Sequence, residues 1–344
     1  MQNPISGMPS DLAQNKRVVE EIRLPHPPVG LSFSIRQRVW PWWFVAIAWF
    51  VVTSLTHLEF SLWLVSPRQA SFGSFRFSDL VPVVVVAGLL CLFVCLYRQA
   101  RACTQPARFG LWWVGWFACA MVIDRYLTFS INEFAHYPQY ALLAWLLARA
   151  YDPERARWVP GRILFWAALL GTADELQQYV WIAPAYGLHL DFNDILVNLV
   201  AAAAGVMLYY GASLCGAGRH VSLRGSSLPL AELLVAGVLT IAVSWLLVIG
   251  GIVTQPAAPV PPGGLVFSEE YGWRLYLERE AGVLGGMAVG QRHDVYLILD
   301  PLRAFTFMAL FGLVYGRYPL WPWEWLRRRP AIQPVIHVSN EARR

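Results

Sequence analysis

The chain has 344 residues, of which 57% are hydrophobic and only 14% charged, with a mean hydropathy of +0.44. A soluble domain usually carries about 25% charged residues, so this composition excludes an ordinary soluble globule and predicts a polytopic membrane protein. The net charge of +5 then reads as a topology signal, and nucleic acid is not an expected partner.

Residues 1–39 are polar and contain "LPHPP". They lack a short basic start running straight into an apolar core, which predicts a flexible cytoplasmic tail and no cleaved signal peptide. Apolar windows of roughly 17–25 residues, enough to cross about 30 Å of hydrocarbon, then follow near 42–65, 80–97, 110–129, 134–151, 162–182, 193–214, 229–253 and 304–320. The expected fold is an all-α, polytopic transmembrane helical bundle of about eight spans. Its divisions are two N-terminal spans in 40–109, a four-span core in 110–214, two C-terminal spans in 229–320 and a basic cytoplasmic tail in 321–344. Trp clusters at "WPWW" (Trp40 to Trp43) and "WPWEW" (Trp321 to Trp325) suit the headgroup level.

The basic residues orient the spans. With the N-terminus inside, most of the 27 Lys and Arg fall in the tails and in the short inside segments. Examples are Arg98, Arg101, Arg155, Arg157, Arg219 and Arg327. The positive-inside rule therefore predicts N-in and C-in, with the loop 254–302 outside. That loop opens with "TQPAAPVPPGG", read as a stiff linker and a flexible hinge. Within it "DVYLILD" predicts a short strand, while "EEYGWRLYLERE" reads equally as a surface helix or a hairpin arm. A small extracytoplasmic subdomain and a cap lying on the membrane both fit it. Of five cysteines, no pair suggests an extracytoplasmic disulfide, and no Cys/His cluster suggests structural zinc.

Polar residues interrupt several spans in their outer halves. In "GTADELQQYV" two carboxylates stand where lipid-facing helices carry Leu or Val, at a cost of roughly 2.5–3.5 kcal/mol for an Asp at a helix centre. With the orientation above, Asp174, Glu175 and Gln178 lie roughly 5–12 Å below the outer surface, at 1.5 Å per residue. Asp194 and Asn198, His136 and Tyr140, His57 and Glu59, and Asp124 and Arg125 fall at similar depth on other spans. Intramembrane polar groups normally face the bundle interior or a wet cavity, so a shared polar pocket open to the outer leaflet is expected. Asp174 with Gln178, Asp194 with Asn198, and His136 with Tyr140 are each i, i+4, which sets each pair on one helix face. Ala201, Ala202 and Gly205 form a small-residue strip suited to close helix packing. Asp191 reads as a helix N-cap, and His57 with Glu59 as structural.

The stretch 120–210 resembles the VanZ-like membrane proteins. The resemblance rests on "HYPQY" with "ALLAWLL", on "DELQQY" and on "DFNDILVNLVAAAAG", which match a His and Tyr four apart, a DExxQ, and a DxxxN followed by small residues. It puts His136, Tyr140, Asp174, Glu175, Gln178, Asp194, Asn198 and Gly205 at motif positions and makes 110–214 the VanZ-like core. Where the family often has an Asp-Lys pair before the His, this chain has Asn132 and Glu133. The Arg often found before the last Asp is replaced by Leu188 or His189, and the usual glycine three residues after the Asn is Ala201. Arg125 is the substitute basic residue.

The resemblance implies action on lipid headgroups or lipid-linked cell-envelope precursors at the outer face of a bacterial inner membrane. Membrane lipids and a lipid-linked glycan or cell-wall precursor are the expected partners. Glu175 and His136 are then the acid–base pair, while Asp194, Asn198, Gln178, Asp174, Tyr140 and Arg125 bind substrate. A non-catalytic protein that binds a lipid-linked ligand or envelope partner is the alternative. No cofactor is expected. His136, Glu175 and Asp194 are a conceivable His-carboxylate set, but without HxxxH or HExxH spacing no metal is expected either.

Overall fold

A computed structural model describes residues 33–65, 71–72, 75–76, 80–103, 106–155, 159–215, 238, 242 and 251–316. The expected tail before residue 33, nearly all of the span expected at 229–253, and the tail 321–344 lie outside these residues. Numbered over what is described, the helices are α1 (Phe33–Val65), α2 (Leu80–Ala102), α3 (Pro106–Leu127), α4 (His136–Tyr151), α5 (Pro160–Gln177), α6 (Phe192–Cys215) and α7 (Pro301–Tyr315). The protein is thus mostly helical, and three of these helices are long and apolar enough to cross a membrane: Pro82–Ala102, Pro106–Leu127 and Phe192–Gly211. On α2 the side chains of Val83 to Val86, Leu89, Leu90 and Phe93 are all exposed. An apolar face of that extent argues for lipid contact.

The centre of the bundle is α6, which packs against α2, α3, α4, α5 and α7. Apart from Asn193, Asp194 and Asn198 it is apolar on every side, the pattern of a helix with no solvent face, and Ile195 through Met207 are almost wholly buried. Its small residues set how closely neighbours approach. A Cβ on Gly205 would fall on the backbone carbonyl of Ala141 in α4, so only glycine permits that crossing. Trp116 of α3 donates its indole N–H to the Val200 carbonyl at 2.7 Å, and Gln99 of α2 donates to Leu208 O at 2.9 Å. Both give a buried donor the partner it needs. At the far end of α2, Cys103 is disulfide-bonded, while Cys91, Cys95 and Cys119 are free thiols.

Residues 251–300 form a small β-rich cap. Strands β3 (Ile252–Val253), β4 (Leu265–Ser268) and β5 (Gly272–Tyr276) make one sheet in the order β3-β5-β4, and β6 (Met287–Ala288) pairs with β7 (Tyr296–Leu297). (Two short strands, β1 at Ser71–Phe72 and β2 at Phe75–Arg76, pair elsewhere.) The "EEYGWRLYLERE" segment is accordingly a hairpin arm, antiparallel to β4, and "DVYLILD" supplies β7. The paired glycines before β4 are a fixed turn in place of the expected hinge. Gly263 and Gly264 have φ of 86° and 65°, in the region open to glycine, and a Cβ on Gly264 would strike Tyr276 and Tyr179.

The cap is stitched to one end of the bundle. Residues 188–190 pair with 277–279 in strand fashion: Leu190 N–H donates to Leu277 O and Arg279 N–H to Leu188 O, both at 2.8 Å. On the other side Gln291 and Arg292 donate their backbone N–H groups to Phe129 O. The cap therefore clasps both the α3–α4 turn and the chain entering α6.

Candidate functional site

Beneath this cap, α4, α5 and α6 each turn polar side chains inward. His136 stands in the first turn of α4, after a 3₁₀ turn at Ile131–Ala135 that spaces α4 from α3. Glu133 steadies that turn, its Oε1 accepting the backbone N–H groups of Phe129 and Ser130 at 2.8 Å each. One helical turn on, Tyr140 is fully buried and donates its hydroxyl to Asp174 Oδ2 at 2.8 Å. Asp174 and Glu175 enter from α5, just before the helix widens into a π turn at Gln178–Ile182. Such turns often mark working sites. A Cβ on Gly171, one turn earlier, would come within 3.1 Å of Asn198 Cβ and 3.5 Å of Tyr140 Cε1, so its missing side chain lets α5 approach both.

Asn198 of α6 is the junction. Its Nδ2 donates to Glu175 Oε1 at 3.3 Å, and its Oδ1 lies 2.8 Å from His136 Nδ1. The amide thus turns its nitrogen to Glu175 and its oxygen to the imidazole. With that oxygen accepting, His136 Nδ1 is the donor, and the neutral imidazole then has its lone pair on Nε2. Nε2 faces Asp194 Oδ2 at 3.5 Å. His136 and Asn198 are 2% and 0% exposed and Glu175 4%. Asp194 sits at the edge, its side chain 14% exposed.

Three of the expected site residues, His136, Glu175 and Asp194, thus offer ligand atoms that all lie within 4.8 Å of one another. Tyr140, Asp174 and Asn198 adjoin them. Gln178 is half-buried, and its Nε2 is enclosed without a hydrogen-bond partner. Arg125 stands apart: it is exposed on α3 and lies over the ring of its neighbour Tyr126, 5.4 Å from the centroid. Among the described residues, no Lys or Arg pairs with Asp174, Glu175 or Asp194. Asp191 caps α6, accepting the backbone N–H groups of Asn193 and Asp194. Glu59 is exposed, and the side chain of His57 lies outside the described residues.

Asp124 reaches the same end of the bundle without entering the cluster. It binds the cap instead, pairing with Arg292 and standing 3.6 Å from His293 Nε2. That carboxylate raises the pKa of the Arg292 guanidinium further. Sequence reasoning passed over Asn193. Its amide donates to Leu127 O and Leu297 O and accepts from Leu299 N–H, at 2.7–2.9 Å, so one buried side chain joins α3, α6 and the cap. The signal was an amide in the first turn of an otherwise apolar span, one residue from Asp194.

Comparison with known proteins adds no relative: no family model, no curated protein and no solved structure matches the chain.

Proposed function

We propose that the protein is a VanZ-like integral membrane protein that acts on lipid headgroups or lipid-linked cell-envelope precursors at the extracytoplasmic face of a bacterial inner membrane. One observation carries this reading: the buried run His136–Asn198–Glu175, with Asp194 against the imidazole and no basic side chain paired to the carboxylates among the described residues. An imidazole beside carboxylates, shielded from bulk water, is the equipment of general acid–base catalysis. Glu175 and His136 exchange the proton, and Asp194 and Asn198 orient the substrate. Asp174, Tyr140 and Gln178 support them from behind, and Arg125 meets an anionic headgroup at the rim. Six of the positions on which the VanZ-like resemblance rests, His136, Tyr140, Asp174, Glu175, Asp194 and Asn198, lie together in this site.

Eight spans in the N-in, C-in orientation put the cap and the cluster outside. That orientation also sets Cys103 at the cytoplasmic border, where the glutathione and thioredoxin systems keep thiols reduced. The Cys103 disulfide stands against that orientation, and alkylation trapping in intact cells decides between them: a bridge that persists in growing cells reverses the orientation, whereas a reduced Cys103 supports it.

The function is tested by comparing the lipids of wild-type, deletion and Glu175→Gln strains. The expected result is a lipid or glycolipid species that changes alike in the deletion and the variant while the variant protein stays at wild-type level. Identical profiles in all three strains would overturn the reading. A second reading, a non-catalytic membrane protein that binds a lipid-linked ligand, is favoured by one fact: each of these hydrogen bonds crosses between two helices. Under it Glu175→Gln lowers yield and thermal stability and leaves the lipids as they were.

A further inference from the structure

We propose that His136, Glu175 and Asp194 hold a single divalent metal ion of the Zn²⁺ or Mn²⁺ class, with at least one coordination position open toward the cap. The polarity of the hydrogen bonds leads to this. With Nδ1 against Asn198 Oδ1, the neutral imidazole of His136 directs its Nε2 lone pair at Asp194 Oδ2, 3.5 Å away, and an ionised carboxylate oxygen is also a lone-pair group. In that state two acceptors face one another, and a cation between them, a proton or a metal ion, reconciles the pair. Two donors each about 2.1 Å from a tetrahedral ion are about 3.4 Å apart, so this pair is already at the spacing a metal requires. The third ligand atom lies within 4.8 Å of both.

Two independent features support an ion over a bare carboxylate cluster. Asp194 Oδ1 is enclosed with no hydrogen-bond partner, which leaves the carboxylate with coordinating capacity that the protein does not use. Asn198 meanwhile holds two of the three ligands from behind, fixing the imidazole tautomer and gripping Glu175. This is the outer-shell support that metal-binding His residues normally receive. A mixed imidazole and carboxylate donor set suits borderline divalent ions, while thiolate-selecting and purely oxygen-seeking metals fit it less well. Three protein ligands with an open position are the pattern of a catalytic site. An ion there would polarise a phosphoryl or ester oxygen of a headgroup. That last role rests on the reading given above, whereas binding of the ion does not.

The test uses the full chain, purified in detergent with a tag free of histidine, stripped with a chelator and titrated with Zn²⁺ and, separately, Mn²⁺. The wild type is expected to retain about one equivalent after desalting and to gain thermal stability with added ion, as a ligand of the folded state must. Asp194→Asn and His136→Gln should weaken binding at least 100-fold, and Asn198→Ala about 10- to 100-fold. Asp124→Asn, at the same end of the bundle, should bind as the wild type does. A variant that fails to fold is recognised by its elution profile and replaced by Co²⁺ titration of the wild type, whose absorption bands report tetrahedral nitrogen and oxygen ligation. A folded wild type that retains no stoichiometric ion, or an Asp194→Asn protein that binds with unchanged affinity, overturns the metal site. Lipids that change on Glu175→Gln without metal uptake overturn the ion alone. Stoichiometric metal with unchanged lipids overturns the headgroup reading alone.

Discussion

His136 and Asn198, 62 residues apart in sequence, are joined by a 2.8 Å hydrogen bond in the interior of the bundle. Because Asn198 also donates to Glu175, the imidazole and the carboxylate are linked through it. A double-mutant cycle on His136→Ala and Glu175→Gln should therefore give a coupling energy of about 0.5–3 kcal/mol, the range for members of one network. Repeated in an Asn198→Ala background on chelator-stripped protein, the same cycle should fall close to zero. Thermal or denaturant unfolding in detergent measures both. Unchanged coupling without the amide would mean that the two groups interact directly.

Tyr140 and Asp174 form the second link between α4 and α5. Tyr140→Phe removes the one donor that Asp174 Oδ2 receives, and Asp174 Oδ1 has no partner already. A buried carboxylate left so exposed to its own desolvation costs about 1–3 kcal/mol or more. Adding Asp174→Leu to Tyr140→Phe should recover part of that loss, since removing both partners is far milder than orphaning one. Melting temperatures of the two variants decide it.

Asn193 gives a prediction about the cap alone. Asn193→Ala orphans Leu127 O, Leu297 O and Leu299 N–H together, while the strand pairing of 188–190 with 277–279 is untouched. Amide hydrogen exchange should accelerate at residues 284–299 by at least about tenfold, the equivalent of about 1.4 kcal/mol. Residues 195–207 of α6 should change little. Uniform acceleration through α6 would show that the amide holds the bundle and not the cap.

What could be read from sequence and what could not divides along physical lines. Asp174, Glu175, Asn198 and His136 were legible because a polar group in an apolar helix is costly and must find company inside. Helical spacing then placed each pair on one face. Arg125 shows where that signal weakens: near a span end a long side chain can turn outward, and here it lies over Tyr126. The cap's docking was illegible, since pairing 188–190 with 277–279 depends on register across a long separation. The Gly263–Gly264 pair looked like a hinge because glycine serves flexibility and tight turns alike; only its packing against Tyr179 and Tyr276 distinguishes them.

Gly205 tests the packing that brings the site together. Gly205→Ala would drive a methyl group into the backbone of Ala141, forcing α4 away from α6 and carrying His136 from Asn198. Overpacking of this kind costs about 1–3 kcal/mol. Gly110 and Gly312 have open space at the same position, so alanine there should stay within about 0.5 kcal/mol. Comparable losses at all three sites, measured by thermal unfolding, would mean that glycine acts through the backbone and not through the crossing.

Glu133 predicts how stability depends on pH. Burial first, and then the negative charge of Asp191, push its carboxyl from the usual 4.5 up to about 8, against the lowering effect of the Ser130 and Phe129 N–H groups. The folded protein therefore keeps this proton to about pH 8, whereas the unfolded chain releases it near 4.5. Between those values the unfolded state binds fewer protons, so stability from this group is complete below about 4.5 and declines as pH rises through about 8. Glu133→Gln keeps an oxygen for the Phe129 and Ser130 N–H groups and cannot titrate. Its melting temperature should fall less steeply than the wild type's from about pH 5 to 8, with the two curves closest at the acid end. Parallel curves over that interval would mean that Glu133 is already ionised in the folded protein, with the 3₁₀ turn tolerating the charge beneath His136.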